Sequence, residues 1–571
     1  MVVAVHQIAA VIAGIASHIG YFNKGEHHLN PARYVVAFAG LLLMTVVYLV
    51  DAQGVQVGHA ASTAAWLGSY FLAGLYTSLV IYRLFLHPLN RFPGPLGARI
   101  SGLWLSAHLT ASDPFRQFQK LHNKHGHFVR VGPSDLSISH PKAVNIINGS
   151  GSKCTKGFWY DITVPTVSLQ TCRVRALHDQ RRRIWSAAFG DKALRGYEQR
   201  IRVYRQKLMD QLAAFDGQPV NITKWVKLYS FDVMGDLAFG RSFNMVASGA
   251  EHWAVKLLDE GLFHYAFMFP MWFLRLVGSI PGLTRRWWKL LNFCNQSMDE
   301  RMKTKVDIPD ISSALLDPLK DRDPSAEELA WLHGDAQLIV IAGSDTTASA
   351  LASIVYELVR HPDQIDKLRE ELAPYITDPS GEFLNHQIAN LDHLNAIIYE
   401  ALRLYPPVPT VFQRLTPPEG IEIDGTHIPG NMIVYCPQYV IGRCEAIYPH
   451  AEEFIPERWY KYPDMVKERS AYAPFSTGPF GCIGRPLALL NLRTTIARLV
   501  TTFDFDFAPG EDGHNFIERA VDHITLGMGE LKLSFKKRCS GKVASHERGI
   551  GNEDHDGLFG PAESFNREHS P

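Results

Sequence analysis

Near the C-terminal end of this chain one cysteine, Cys482, stands among three glycines, Gly478, Gly481 and Gly484, seven residues after Phe475. A helical run, Leu487 to Val500, opens directly after Arg485 and Pro486. Glycines let the backbone turn sharply and approach a flat partner closely. A helix that begins just past a sulfur aims its positive end and free N–H groups at it, which favours the thiolate. Two readings are open. The segment is built either to offer haem iron an axial thiolate or to bury a free cysteine ahead of a helix, a common fate of cysteines. The segment alone does not choose.

Three further motifs precede it in fixed order: Ala342-Gly-Ser-Asp-Thr-Thr347, Glu400-Ala-Leu-Arg403 and Pro456-Glu-Arg-Trp459. An E-x-x-R alone occurs by chance in many helices. Four motifs in this order and spacing are specific, and on them the chain resembles the cytochrome P-450 family, the haem-thiolate monooxygenases. The resemblance covers Phe92 to Lys537. Its flavour is that of the fungal microsomal type, similar to the tryprostatin B 6-hydroxylase-like group of secondary metabolism.

The resemblance implies a mainly α fold with a small β part, preceded by N-terminal transmembrane helices, and haem b as cofactor. Cys482 would be the axial ligand to the iron, with Phe475, Gly478 and Gly484 shaping its loop. It places His178 and Arg182, which are at i, i+4 spacing, on the haem propionates, and Arg414 is a further candidate. For Arg414 a solvated strand residue is the alternative. The family carries a basic residue two places before the cysteine, where this chain has Phe480. Trp185 is expected in the core. Arg181 and Arg183 are either solvated or part of a basic face that docks a reductase. The family's electron donor is an NADPH-cytochrome P-450 reductase, a separate chain.

Ser325-x-x-Glu328 after Pro324 reads as a capping box, and His361-Pro362 closes the helix it opens. About 35 residues at 1.5 Å each make roughly 50 Å, enough to cross a domain. Its apolar middle, Leu338 to Ala342, is broken by Gly343-Ser-Asp-Thr-Thr347. Buried polar groups cost free energy unless paired. A local opening of the helix would give Asp345 and Thr346 a proton-relay role toward bound oxygen; a helix–helix hydrogen bond is the alternative. Glu400 and Arg403 share a helix face. With Arg458 they would form a buried charge network which, by the resemblance, locks the cysteine loop and takes no part in catalysis.

Composition is globular, 46% hydrophobic and 20% charged, and 57 basic residues balance 57 acidic ones. Nothing in that balance points to nucleic acid. The seven cysteines (Cys154, Cys172, Cys294, Cys436, Cys444, Cys482, Cys539) form neither a C-x-x-C pair nor a secreted framework. They read as reduced thiols.

Before Pro88 lie three apolar stretches: Val2 to Ala16, Tyr34 to Val50 and Ala64 to Leu86. A span needs about 20 apolar residues. The third meets this, the second is near the limit, and the first is weakened by His6 and Gln7, with a cleaved signal as its alternative. Lys24 and Arg33 lie in the first loop and Arg83, Arg91 and Arg99 follow the third stretch, while 51–63 lacks Lys and Arg. The positive-inside rule then puts the first loop and the main domain in the cytosol. The resemblance names the endoplasmic reticulum as the membrane.

The expected organisation is a membrane anchor of two or three spans (1–87), a proline-rich hinge (88–97), a catalytic domain (98–539) and a disordered tail (540–571). A β-hairpin is expected over Phe128 to Ile138, strands around Asp424-Gly425, and last strands near Ile524 and over Leu531 to Phe535. Apolar candidates for a substrate wall are Thr163 to Thr171, Pro407 to Phe412 and Ile524 to Leu526. Leu262 to Leu276 reads as core or as a membrane-dipping segment. The implied reaction inserts one atom of O₂ into a lipophilic small molecule, and membrane lipid is an expected partner. The alternatives are a haem-thiolate isomerase or dehydratase, and a haem-binding sensor without turnover.

Overall fold

A computed structural model describes residues 2–109, 112–320, 322–378, 380–410 and 412–538. Val411, Cys539 and the tail expected to be disordered (540–571) lie outside these. Helix accounts for 61% and strand for 7%, so the class is mainly α with a small β part.

The capping box forms as its sequence dictates. The Ser325 amide donates to Glu328 Oε2 at 2.9 Å and the Glu328 amide to Ser325 Oγ at 3.3 Å. From there one helix runs without interruption from Ala326 to Arg360. Helices Ile222–Phe239, Arg285–Met302, Asp392–Leu404 and Arg485–Thr502 pack around it, and their apolar faces make the main core. It too is long and apolar enough to cross a membrane, but two thirds of it is buried in protein, so its apolar length serves the core.

The strands fall where turn chemistry puts them. Phe128–Arg130 pairs antiparallel with Asp135–Ile138. Ile421–Ile423 pairs with Thr426–Ile428 around Asp424 and Gly425, both at positive φ, as a two-residue hairpin turn requires. Asp135–Ile138 continues into a five-stranded mixed sheet through a parallel pairing with Ile433–Tyr435. Val521–His523 and Thr525–Gly527 form a further hairpin. Its turn residue is Ile524, a β-branched side chain held at φ 84°, a conformation such residues rarely take without reason. Lys532–Lys537 lies between two other strands as the centre of a three-stranded sheet.

At the N-terminus Val5–Phe22, Pro31–Asp51 and Val57–Leu86 are each long and apolar enough to cross a membrane. The first, marginal by sequence, is held to the third by interlocked glycines. A Cβ on Gly14 would stand 2.1 Å from the Phe71 carbonyl oxygen, and one on Gly74 2.2 Å from that of Val11. His18 Nδ1 and Ser78 Oγ, 2.9 Å apart, join the same pair of helices. The hinge is not a free tether. The fully buried Arg130 of the first hairpin donates to the Asn90 side chain and to the Pro133 carbonyl, and its amide donates to Pro93.

Gly74→Val must push the first and third helices apart, at about 1–3 kcal/mol by overpacking. Gly58→Val, on the same helix, meets nothing within 4 Å. In detergent-solubilised full-length protein the thermal midpoint should fall for the first variant and hold for the second; equal midpoints would refute the packing.

Candidate active site

Ala342 and Cys482 share a feature that nothing else in the core explains. Both are exposed although protein surrounds them. They face each other across an internal cavity of about 280 Å³. One wall is the long helix, through Ala342, Gly343, Thr346 and Ala350; the opposite one is the cysteine loop, Phe475 to Gly484.

Local chemistry builds that loop. Gly478 sits at φ 65°, where a Cβ would lie 2.2 Å from the Asn148 carbonyl oxygen, so only glycine fits. The Cys482 amide donates to the Phe475 carbonyl at 2.7 Å, closing a turn that presents Sγ. The helix Arg485–Thr502 begins next, with Gly484 as N-cap. Burial pushes the Cys482 thiol up, while the amides of Gly484 and Arg485 and the Arg182 guanidinium pull it down. The helix start acts in the expected direction, but burial outweighs it. A bound metal would be needed to hold the thiolate.

One side of the cavity is basic. Arg414 is buried, not solvated; it donates to Tyr160 Oη at 2.9 Å and leaves its Nε without a partner. Arg182 donates to the Gly481 carbonyl at 2.8 Å, and His178 is buried beside it. Burial, then the charge of Lys156, pushes His178 down to about 4.

No motif marks Lys156. Its Nζ is buried and donates to the carbonyls of Leu169 and Gln170 at 3.0 and 2.6 Å. Burial, then Arg414, pushes it down to about 7. The Phe480 ring, which replaces the expected base, collects these cations. Lys156 Nζ is 5.0 Å from its centroid, Arg414 Cζ 5.2 Å and Arg175 Cζ 5.5 Å, and an aromatic face attracts positive charge. Buried cations facing an apolar slot with an orphaned guanidinium N–H suit a flat ligand carrying two carboxylates, which is the chemistry of haem.

The oxygen side departs from expectation. No local opening of the helix occurs. Thr346 and Thr347 instead donate to the carbonyls of Ala342 and Gly343, at 2.7 and 3.0 Å, the i−4 back-bond open to a mid-helix threonine. Thr346 lines the cavity and Asp345 does not. The Asp345 carboxylate turns to the hairpin, where Thr525 donates to Oδ2 and His523 Nε2 lies 3.5 Å away. Thr525 also lines the cavity, so its hydroxyl joins the carboxylate to that space. Burial opposes both charges, but their pairing prevails, holding Asp345 below its ordinary range and His523 above it. Lys227 also acts on Asp345, and Asp522 and Asp259 on His523.

Asp335, likewise invisible in the sequence, is a fully buried hub. It accepts from Arg181 at 2.6 Å, from Trp185 at 2.7 Å and from the Leu169 amide at 2.9 Å. Arg181 is therefore neither solvated nor part of a docking face; Arg183 is exposed and Trp185 is in the core.

The charge network closes. Glu400, Arg403 and Arg458 are buried, and Glu400 accepts from Arg403 Nε (2.9 Å) and Nη2 (2.8 Å), Arg458 Nε (2.8 Å), Trp459 Nε1 (2.9 Å) and the Ile455 amide (3.0 Å). The other guanidinium N–H groups reach carbonyls of 442–465. Leu262 to Leu276 divides: Leu262, Ala266 and Met271 are buried while Phe263 and Trp272 are exposed.

Compared with known proteins, residues 92–535 match the family model for cytochrome P450. The chain is a cytochrome P450. It is 51% identical over 528 residues to the cytochrome P450 monooxygenase notG' of Aspergillus versicolor, covering 92% of this chain and 97% of that one. Identity is 48% over 536 residues to the tryprostatin B 6-hydroxylase of Aspergillus fumigatus, with 93% and 96% covered. Among solved structures, the haem domain of cytochrome P450DA shares the fold at TM-score 0.64 and 19% identity, over 76% of this chain and 95% of that one. This P450 is a haem-thiolate monooxygenase, taking haem iron as cofactor and O₂ and a small organic molecule as substrates. The isomerase, dehydratase and sensor alternatives are not favoured.

Two predictions follow from the geometry. Arg403→Ala removes two of the five N–H donors from the buried Glu400 and leaves Arg458 as its one cation, at about 3–5 kcal/mol; haem content per protein should collapse, and full loading would contradict the network's role. For the Asp345–His523 pair, the raised histidine stabilises the fold fully below about pH 6.5, and that contribution is lost as pH rises through its folded value. The lowered carboxylate contributes above about pH 3.9. The stability gap between wild type and His523→Gln, read by denaturant unfolding, should be larger near pH 6 than near pH 9.

Proposed function

We propose that this P450 is an anchored monooxygenase of fungal secondary metabolism that oxidises a lipophilic molecule held between Cys482 and the long helix. One observation carries the reading: the Cys482 sulfur opens onto an apolar cavity flanked by Lys156, Arg182 and the buried Arg414, whose Nε has no partner. Haem b, when bound, supplies oxygen activation and the oxidation itself.

In this reading Cys482 ligates the iron, and Phe475, Gly478 and Gly484 hold its loop. His178, Arg182 and Arg414 face the propionates, with Lys156 supplying the positive charge that position 480 lacks. Thr346 and Thr525 offer hydroxyls on the oxygen side. Asp345 holds a proton-accepting carboxylate at Oδ2, and His523 Nε2 can hand it a proton. Residues Val408, Phe412, Leu338 and Ile524 would exclude water and suit an uncharged substrate. One relative is named as a tryprostatin B 6-hydroxylase, and the substrate is taken from it only as far as a small organic molecule.

Residues 1–87 form the membrane anchor, 88–97 the hinge and 98–539 the catalytic domain. The membrane would be the endoplasmic reticulum, as the resemblance implies; the domain's cytosolic side is supported by Lys24 and Arg33 in the first loop and by the lack of Lys and Arg over 51–63, and a membrane-facing position by the exposed Trp272 on the helix Met271–Gly278, which packs on the second apolar helix. Electrons come from NADPH through a separate reductase.

The test is the reduced, carbon-monoxide-bound absorption spectrum of the membrane fraction for wild type and Cys482→Ala. The red-shifted band of a thiolate-ligated haem is expected in wild type and absent from the variant. Folded wild-type protein that binds haem without that band would overturn the reading.

A further inference from the structure

The anchor reaches into the wall of the cavity. Its first loop, between the first two apolar helices, carries Glu26 and His28. The two Glu26 oxygens accept from Arg173 Nη2 and Nη1, both at 2.8 Å, the paired geometry that gives arginine–carboxylate contacts their strength and direction. Arg173 Nη1 also donates to Asp161 Oδ2. His28 Nε2 meets that same oxygen at 2.8 Å, and its ring stacks on Phe158 with centroids 4.9 Å apart. His28 is buried, and Arg173 and Asp161 are mostly so.

Asp161 and Arg173 belong to a segment that closes one side of the cavity. It starts from the strand Thr155–Lys156 and ends just before the helix Arg175–Ser186. Lys156, Tyr160, Leu169 and Gln170 within it line the cavity. Short polar turns, not sheet pairing, hold the stretch between, such as Thr163 Oγ1 on the Thr166 carbonyl at 2.9 Å. Leu169 and Gln170 are tied to Lys156 and to Asp335; the part before them, 158–166, is held mostly by such turns and takes its position from what grips it from outside. Another anchor-linked contact grips it as well. Arg275 donates to the Val164 carbonyl at 2.7 Å, from the helix Met271–Gly278 that packs on the second apolar helix.

The donor atoms of Glu26, His28 and Asp161 all lie within 4.8 Å of one another, a spacing open to a metal ion. The Arg173 guanidinium already stands between the two carboxylates and pairs with both, so a cation would have to displace it.

We propose that Glu26 and His28 are positioning residues for the substrate pocket: by latching Arg173 and Asp161, the anchor's first loop sets where the 155–173 wall stands. The pocket's width is then a property of anchor and domain together. This rests on reading the cavity above Cys482 as the substrate site.

The test uses full-length, haem-loaded enzyme in lipid nanodiscs. Hydrogen–deuterium exchange is compared for wild type, Glu26→Ala/His28→Ala, the milder Glu26→Gln, and Lys24→Ala as a same-loop control. Peptides over 158–173 should exchange about tenfold faster in the double variant and less so in Glu26→Gln, with peptides of the cysteine helix unchanged. In visible titrations, affinity for clotrimazole, a bulky iron-ligating azole, should shift by about threefold or more, while that for imidazole itself holds. Wild-type exchange over 158–173 in a haem-loaded variant would overturn the latch. Should the double variant fail to load haem, Glu26→Gln decides by the same criterion. Altered exchange with an unchanged clotrimazole-to-imidazole ratio would overturn the claim on the pocket but leave the contact. The exchange readout is independent of whether Cys482 gives the haem-thiolate band, so the two readings fail separately.

Discussion

Glu400 is a carboxylate buried out of reach of water, and five N–H groups converge on it. An unpaired charge there would be prohibitive, and a poorly paired one would still be costly. Two arginines and a tryptophan satisfy it. The arginines' remaining N–H groups then reach the carbonyls of 442–465, an irregular stretch with little regular structure to hold it. That stretch leads through Tyr472, whose hydroxyl donates to the Tyr399 carbonyl of the same helix, into the cysteine loop. The placement of Cys482 over the cavity therefore depends on a charge network that never touches the cavity.

A second consequence concerns charge on the cavity's basic side. Lys156, Arg175 and Arg414 gather around Phe480, with Arg182 close by and Asp179 as the nearby acid. Such a cluster favours an anion beside it: burial first, then the charge of Arg414, pushes Lys156 down to about 7. Haem carboxylates would supply the missing charge. Phe480 need not be a defect, because its ring face tolerates the cations that a basic residue would repel.

Much was legible in the chain. The capping box, the two-residue turn at Asp424-Gly425 and the hairpin over Phe128 to Ile138 follow local rules, and local rules can be read locally. So could the grouping of Glu400 with Arg403, because helical spacing fixes it. Other features were hidden because their partners are far apart in sequence. Asp345 looked like a group facing the cavity and instead faces His523, since a helix position alone does not say which neighbour is nearer. Arg181 reads from its own helix as solvated or as part of a docking face, because its partner Asp335 lies 154 residues away. The first apolar stretch looked marginal until Gly14 and Gly74 were seen to interlock.

By itself the sequence determined the family, the thiolate candidate, the long helix and the apolar N-terminal segments. Each of these rests on residue type and short-range spacing. The tertiary structure decided which polar groups share a site: Lys156 beside Phe480, His523 on Asp345, and Glu26 on Arg173. These pairings depend on how separate elements pack and on which buried charges must find a partner. Burial raises the worth of every such choice, and burial is known only once the chain has folded.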